Sequence, residues 1–374
     1  IIGAQGMTWF PSLTITIYLA RNYLAWVSST VIILLCFVSL INFVELFQRV
    51  SRYGLDVSNF KIFLLGLLNL PTLFDEILPF GLLFGSTICF YFWTKSQQII
   101  AIRSFGQNIW QTLLPIILTV SLIGFCHILI FNPISAIISQ QHDSQINSVF
   151  KNKKNNLVSI SASGIWLRDT FLNDKVIING SSMDAEKAII FNPILYVLND
   201  SGGLKWLITA NSMRLSSGLW LFDTPSRITQ DGQVEALKDF NPKSTLEKSI
   251  MVNAGRPLRT ISIYELSDYI DTLKTAGIPV EKLRVQFHKT LALPLQLVGL
   301  ALLAASFTLL NFGNQKRIRI IVLGLAASFL YHFISDLIFL LGHNSRLPDF
   351  IAGWLPSILI FTISGFFLAR GDEH

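Results

Sequence analysis

IWLRDTFLNDKVIING (residues 165–180) and ILYVLNDSGGLKWLITANSMRLSSGLWLF (residues 194–222) decide how this chain is built. Both are β-rich runs cut by turn-forming residues, inside a polar stretch covering residues 156–262. On either side the character changes: residues 104–142 and 290–315 contain no Asp, Glu, Lys or Arg. A hydrocarbon core of roughly 30 Å needs about 20 apolar residues in a helix, so each flank can span a bilayer. The polar stretch is therefore expected to be an aqueous domain carried between two halves of a membrane protein.

Within it, strand composition marks residues 158–163, 165–172, 175–178, 188–198, 205–210, 212–215, 219–222 and 227–229. Turn chemistry separates them at Asn173-Asp174, Asn179-Gly180, Asp200-Ser201-Gly202-Gly203 and Ser216-Ser217-Gly218. Many short strands at such spacing predict a sandwich, jelly roll or open barrel. An open sheet leaves edges able to pair with another chain.

Composition agrees with a membrane protein. Only 14% of the 374 residues are charged, against about 25% in soluble domains, and the mean hydropathy is +0.53. The net charge of +6 points to orientation signals or acidic lipid rather than nucleic acid. Cys36, Cys89 and Cys126 all lie in apolar runs, so the polar domain is expected to fold without a disulfide, and no metal-ligand spacing exists. There is no phosphate-binding Gly-rich loop, GxSxG or HExxH. Neither catalytic residues nor a directly bound cofactor are expected, and any work from ATP must come from a partner. Residues 1–6 precede Met7 and are read as a tag or a mis-assigned start. The first apolar run is too long for a cleaved signal and lacks a small-residue cleavage site, so it is read as a retained helix.

Six spans are expected, arranged as three, insert, three. The first follows an amphipathic segment at residues 12–28 and continues into Glu45, Arg49 and Arg52, with Glu45 and Arg49 paired four apart. The second, residues 60–94, is long enough to need kinks at Pro71 and Pro79. It holds Asp75 and Glu76, read either as facing the bundle interior or as solvated at headgroup depth. Residues 95–106, KSQQIIAIRSFG, are too short to span and are read as a helix along the membrane surface. The third span, residues 109–138, carries one ionisable group, His127, expected to be hydrogen-bonded packing. Ser262 and Glu265 begin a capped connecting helix that Gly277 stops. The fourth span starts near Val285, with Lys282, Arg284, His288 and Lys289 at its outer end. The fifth, residues 320–341, carries His332 and Asp336 on one face, and the sixth, residues 350–369, ends in Arg370.

A cytoplasmic N-terminus places Arg21, Lys95, Arg103, Lys316, Arg317, Arg319 and Arg370 inside and exports the insert, as the positive-inside tendency asks. Arg49, Arg52, Lys282, Arg284 and Lys289 then cluster at outer helix ends. They read either as a cationic rim for an acidic amphiphile or as plain headgroup anchors.

This layout resembles the LptF/LptG family of lipopolysaccharide export permeases, from about Leu13 to Arg370. Gln98 to Gly106 resembles the family's cytoplasmic coupling helix, Gly164-Ile165-Trp166-Leu167-Arg168 a strand start of the G-type subunit, and His288-Lys289 with Leu291-Ala292-Leu293-Pro294-Leu295 the opening of the fourth span. The resemblance implies an α-helical polytopic protein of the Gram-negative inner membrane, with six transmembrane helices and an inserted all-β, jelly-roll-like periplasmic domain. Its expected divisions are 12–142 for spans one to three with the coupling helix at 95–106, 143–262 for the β domain, 263–284 for the connecting helix and 285–370 for spans four to six. It implies a half-transporter paired with an LptF-type permease and worked by an LptB-type ATPase dimer that hydrolyses the ATP. The cargo, lipopolysaccharide, passes to an LptC-type β-jellyroll protein. Glu45, Arg49 and Arg52, with Lys282, Arg284 and Lys289, are the implied substrate contacts. Gln98, Ile102, Arg103, Ser104 and Gly106 are the implied ATPase contacts. The sequence departs from the family at Asn42 and Gln48, where basic residues occur, and at Gln98, where a Glu is usual. Two other readings compete: a membrane-anchored scaffold with a protein-binding β domain, and an ion-coupled secondary transporter using Asp75, Glu76, His332 and Asp336.

Overall fold

The computed structural model describes residues 13–372 apart from 56, 105, 151–164, 172–173, 185–186, 199–202, 230–232, 238–239, 245–255, 276–278 and 310–316. The expected strand at 158–163 and the stop at Gly277 lie outside those residues. The chain divides into two compact units, residues 1–142 with 284–374, and residues 143–283.

The first unit is helical. Leu13–Arg52 forms α1, forty residues without Pro or Gly and so about 60 Å long at 1.5 Å per residue. The amphipathic segment expected before the first span is part of this same helix. Gly54, at φ +57°, stops it: its N–H bonds to Ser51 O and that of Leu55 to Val50 O, the paired bonds of a Schellman cap. The expected second span is broken rather than kinked at its start. Asn59–Leu68 (α2) ends at Asn69 and Leu70–Lys95 (α3) begins anew, with Pro71 in its first turn and Pro79 kept inside it. Proline lacks an N–H and suits a helix start, which is why the restart falls there. Asn69 reaches across to Asn42 Oδ1 on α1 at 3.4 Å.

Helix α4 spans Gln98–Ser104 and α5 spans Ile109–Cys126, opened by an Asn108–Gln111 capping box. A π-helical turn, His127–Phe131, then leads into α6, Asn132–Phe150. The turn has a cause in the sequence. Pro133 cannot donate to the Leu129 carbonyl, and its ring crowds that group. The helix widens, and Asn132 N–H bonds to His127 O. After the insert come α7 (Ile263–Thr275), α8 (Glu281–Leu309), α9 (Arg317–His343) and α10 (Asp349–Asp372). Among the described residues, six helical segments are long and apolar enough to cross a membrane, as expected.

Their core joins Leu19, Tyr23 and Val27 of α1 to Leu82 and Phe90 of α3, Leu113 of α5, and Leu297 and Ala301 of α8. In lipid, helices associate through close packing of small residues rather than through the hydrophobic effect. Gly81 and Gly85 serve this end on α3: a Cβ on Gly85 would lie 2.7 Å from Val27 Cα, and one on Gly81 2.6 Å from Val31 Cγ2.

The second unit carries the all-β insert, antiparallel throughout its described ladders. Its strands are β1 (Ile165–Phe171), β2 (Asp174–Gly180), β3 (Ser182–Asp184), β4 (Ile189–Phe191), β5 (Ile194–Leu198), β6 (Leu204–Thr209), β7 (Ser212–Ser216), β8 (Leu219–Asp223), β9 (Ser226–Ile228) and β10 (Val234–Ala236). One sheet has the order β1-β2-β5-β6-β9-β10 and the other β3-β4-β7-β8. The chain swaps sheets at Ser181, Asn192-Pro193, Ala210-Asn211 and Thr224-Pro225, and bonds such as Asn192 N–H to Asn211 O knit these corners together. Four long strands thus bend along one line, and their inner faces share a core of Val176, Ile178, Ile190, Leu195, Val197, Ile208, Met213 and Trp220.

Two sequence expectations change here. The run 188–198 is two strands, because Asn192 (φ +47°) turns the corner ahead of Pro193. Asn179-Gly180 is not a turn but the end of β2, paired with Ile194 and Ile165. Gly180 is there for space, since the Ile190 side chain occupies the place of a Cβ. The Ser217-Gly218 turn stands as expected, with both residues at positive φ.

Candidate functional site

The cap at Gly54 puts Arg49 and Arg52 in the last turn of α1, where cations complement the carbonyl end of the helix. Arg49 Nη2 donates to Glu45 Oε1 at 2.6 Å, both side chains remaining half exposed. Such a pair contributes roughly 0.3–0.5 kcal/mol and is easily exchanged for another anion. Arg52 is exposed. Below this turn α1 shows an exposed apolar face of Phe37, Leu40, Ile41, Val44 and Phe47. Of the two departures noted, Asn42 is engaged with Asn69 and Gln48 is exposed.

The α8 cations are in different states. Lys282 is exposed and belongs to the second unit. Arg284 is committed to Asp349, in the first turn of α10, at 3.4 Å. Lys289 lies with its Nζ 4.3 Å from the Phe339 ring centroid, within electrostatic range of Asp336 and Glu76. His332 and Asp336 pair at 3.4 Å, and the His332 ring stands edge-on to Phe80. Spans two, four and five therefore share a polar cluster around Lys289. The rim cations are not equivalent: Arg49, Arg52 and Lys282 face outward, whereas Arg284 and Lys289 have partners within the helical unit.

Helix α4 is set against the bundle by Ile99, which is 2% exposed, and by Ile102. Ile100, Ala101, Arg103 and Ser104 face outward. Ser104 Oγ donates to Ala101 O at 2.7 Å, and Gly106 closes the segment at φ +79° with open space around it. Gln98 is half-buried, and its Oε1 has no hydrogen-bond partner among the described residues. The result is a short exposed shelf, one positive charge strong, held rigidly by two isoleucines.

Two polar constellations went unread in the sequence. His127 Nε2 lies 2.8 Å from Asp75 Oδ1, and Ser135 Oγ donates to Asp75 Oδ2 at 3.2 Å. Packing by hydrogen bonds was expected of His127; the identity of its partner was not. The signal was Pro133, which makes the π turn that aims His127 at α3. In the insert, Asp169 is 5% exposed and accepts from Trp220 Nε1 at 2.7 Å and Ser244 Oγ at 2.6 Å. This links β1 of one sheet to β8 of the other.

Comparison with known proteins adds a further observation. The family model described as lipopolysaccharide export system permease LptF/LptG matches residues 17–370. The chain is also similar to the lipopolysaccharide export system permease protein LptG of Haemophilus influenzae, at 22% identity over 379 residues, 96% of this chain and 98% of that one.

Proposed function

Since the chain belongs to the LptF/LptG family of lipopolysaccharide export permeases, we propose that it is one half of a two-permease transporter that lifts lipopolysaccharide out of the outer leaflet of the inner membrane. The observation that carries this reading is the family match over nearly the whole chain, insert included. The exposed apolar face of α1, ending in Arg49 and Arg52, supports it: acyl chains would lie along Phe37 to Phe47 and phosphates would exchange with Glu45 for Arg49. Arg284 and Lys289, already partnered, act by holding spans four, five and six in register; Lys282 is the exposed cation of α8.

The energy comes from outside the chain. A partner ATPase dimer, closing on ATP, presses on the Ile100, Arg103 and Ser104 shelf of α4. Because Ile99 and Ile102 anchor that shelf in the bundle core, the push is delivered to the spans rather than absorbed by a loose loop. With Gln98 in place of a carboxylate, docking rests on shape and neutral hydrogen bonds. The insert lies on the periplasmic side and hands cargo to a β-jellyroll partner by edge pairing, with β1 and β10 as the outermost strands of its larger sheet among the described residues. The test is copurification. Arg103→Glu and Ser104→Trp are expected to lose the ATPase while the permease pair stays intact. Full recovery of the ATPase with both variants would place the coupling surface elsewhere.

A further inference from the structure

The π turn between α5 and α6 has a consequence for which residues can meet. His127, at its start, and Ser135, beyond its end, stand eight residues apart. In a regular α-helix, at about 100° per residue, eight steps leave two side chains about 80° apart around the axis. A π turn takes up one more residue than an α turn, which removes one step and leaves about 20°. His127 and Ser135 therefore share a face, and a single carboxylate on α3 meets both. Asp75 Oδ1 lies 2.8 Å from His127 Nε2, and its Oδ2 accepts from Ser135 Oγ at 3.2 Å.

Asp75 is thus a staple across a helix joint, and joints of this kind are where helices bend. Rings fill the joint from the same side: Phe74 lies 4.5 Å from Phe131, and Phe131 5.2 Å from His127, centroid to centroid. One turn along, Thr72 and Ser139 share a hydrogen bond at 3.1 Å. His127 Nδ1 has no hydrogen-bond partner among the described residues, so the imidazole is oriented through Asp75. The two sides of the joint are held differently. Before it, α5 is pressed on α8, where a Cβ on Gly124 would lie 2.6 Å from Pro294 Cα. After it, Ile134 and Ile137 are exposed, and the buried hydroxyls Ser135 and Ser139 both bond to α3.

A braced bend has a use in a chain that is pushed from one end. From Asp75, α3 runs on to Lys95, and α4 begins at Gln98. The chain leaves the helical unit on α6. We propose that Asp75 is a positioning residue: by holding both sides of the π turn it fixes the bend between α5 and α6, and makes α6 follow α3 when α3 moves. This rests on the export reading above and adds to it the point at which the stroke passes from α3 to α6. Without the staple the joint flexes and the stroke is lost there, although cargo still binds and ATP is still hydrolysed.

The experiment uses the whole complex in lipid nanodiscs. The native cysteines of this chain are replaced, and spin labels are placed at Leu118 on α5 and Ile137 on α6, both exposed. Pulsed electron resonance then reads the distance across the joint with and without ATP. The unaltered chain is expected to give one narrow distribution in each state, and Asp75→Leu and Ser135→Ala broad ones. In proteoliposomes, lipopolysaccharide released per ATP hydrolysed is expected to fall about tenfold in Asp75→Leu, the weight of one hydrogen bond to a charged group. The hydrolysis rate and the lipopolysaccharide adduct of a photoreactive residue at Phe47 should stay unchanged. His127→Leu should behave alike, whereas His127→Gln, whose amide N–H can stand in for Nε2–H, recovers most of the release. Lost packing alone would not be restored by a polar chain of another shape, and the His127 variants keep the test open should Asp75→Leu fail to assemble. A narrow distribution in the Leu variants, or unchanged release per ATP, would overturn the staple. An unaltered complex that releases no lipopolysaccharide would instead sink the export reading, and the distance measurement would still judge the joint.

Discussion

Asp75 and Asp169 are each held by partners from a distant part of the chain. Asp169 accepts from Trp220 and Ser244, so removing it leaves an indole N–H and a hydroxyl stranded in the core of the insert. Asp169→Ala is expected to destabilise the insert by about 3 kcal/mol, the cost of orphaning buried groups that bonded to a charge, read as a lowered thermal unfolding midpoint of the purified protein. A midpoint unchanged within error would mean that the network is ornamental. Asp75 and His127 form a pair whose coupling a double-mutant cycle isolates. Asp75→Leu and His127→Leu together should cost less than the sum of the two single changes. At the rim, Arg49→Glu with Arg52→Glu is expected to abolish lipopolysaccharide crosslinks at Phe47 while the ATPase still copurifies. Unchanged crosslinks would remove these two cations from the cargo path.

Individual elements show what a sequence reader can and cannot see. The Glu45–Arg49 pair, a short helix inside residues 95–106, seen at Gln98–Ser104, and the all-β character of the insert were legible, because each follows from local spacing. The corner at Asn192-Pro193 was not. A strand that bends between sheets has the same composition as a straight one, and only the partner strands reveal the change. Asn179-Gly180 failed for a related reason. Asn-Gly signals a turn where the chain must reverse, but a glycine also serves where a second sheet presses close, and Ile190 supplies that pressure from ten residues away. The π turn could have been anticipated from Pro133 alone, yet its consequence, His127 meeting Asp75, depends on how α3 packs. Gly54 provides a clean test at this scale. Gly54→Ala places a Cβ at φ +57° and is expected to cost about 1 kcal/mol. It should also fray the last turn of α1, seen as faster hydrogen exchange at Leu55, whose N–H closes the cap. Unaltered exchange there would show that the cap is held by something other than the glycine.

Across the whole molecule, one chain joins a short exposed helical shelf, a greasy helix face with cations at its end, and a bent antiparallel sandwich. The proposed transport requires those parts to lie in sequence across the bilayer, with the push entering at α4 and the cargo leaving through the insert. That requirement is directly measurable. In intact cells carrying a cysteine-free chain, single cysteines at Ser217, in the β7–β8 turn, and at Ser104, on α4, are exposed to a membrane-impermeant maleimide that reaches the periplasm. The account predicts labelling at Ser217 in whole cells and at Ser104 only after the inner membrane is opened. Labelling of both from the same side would contradict it.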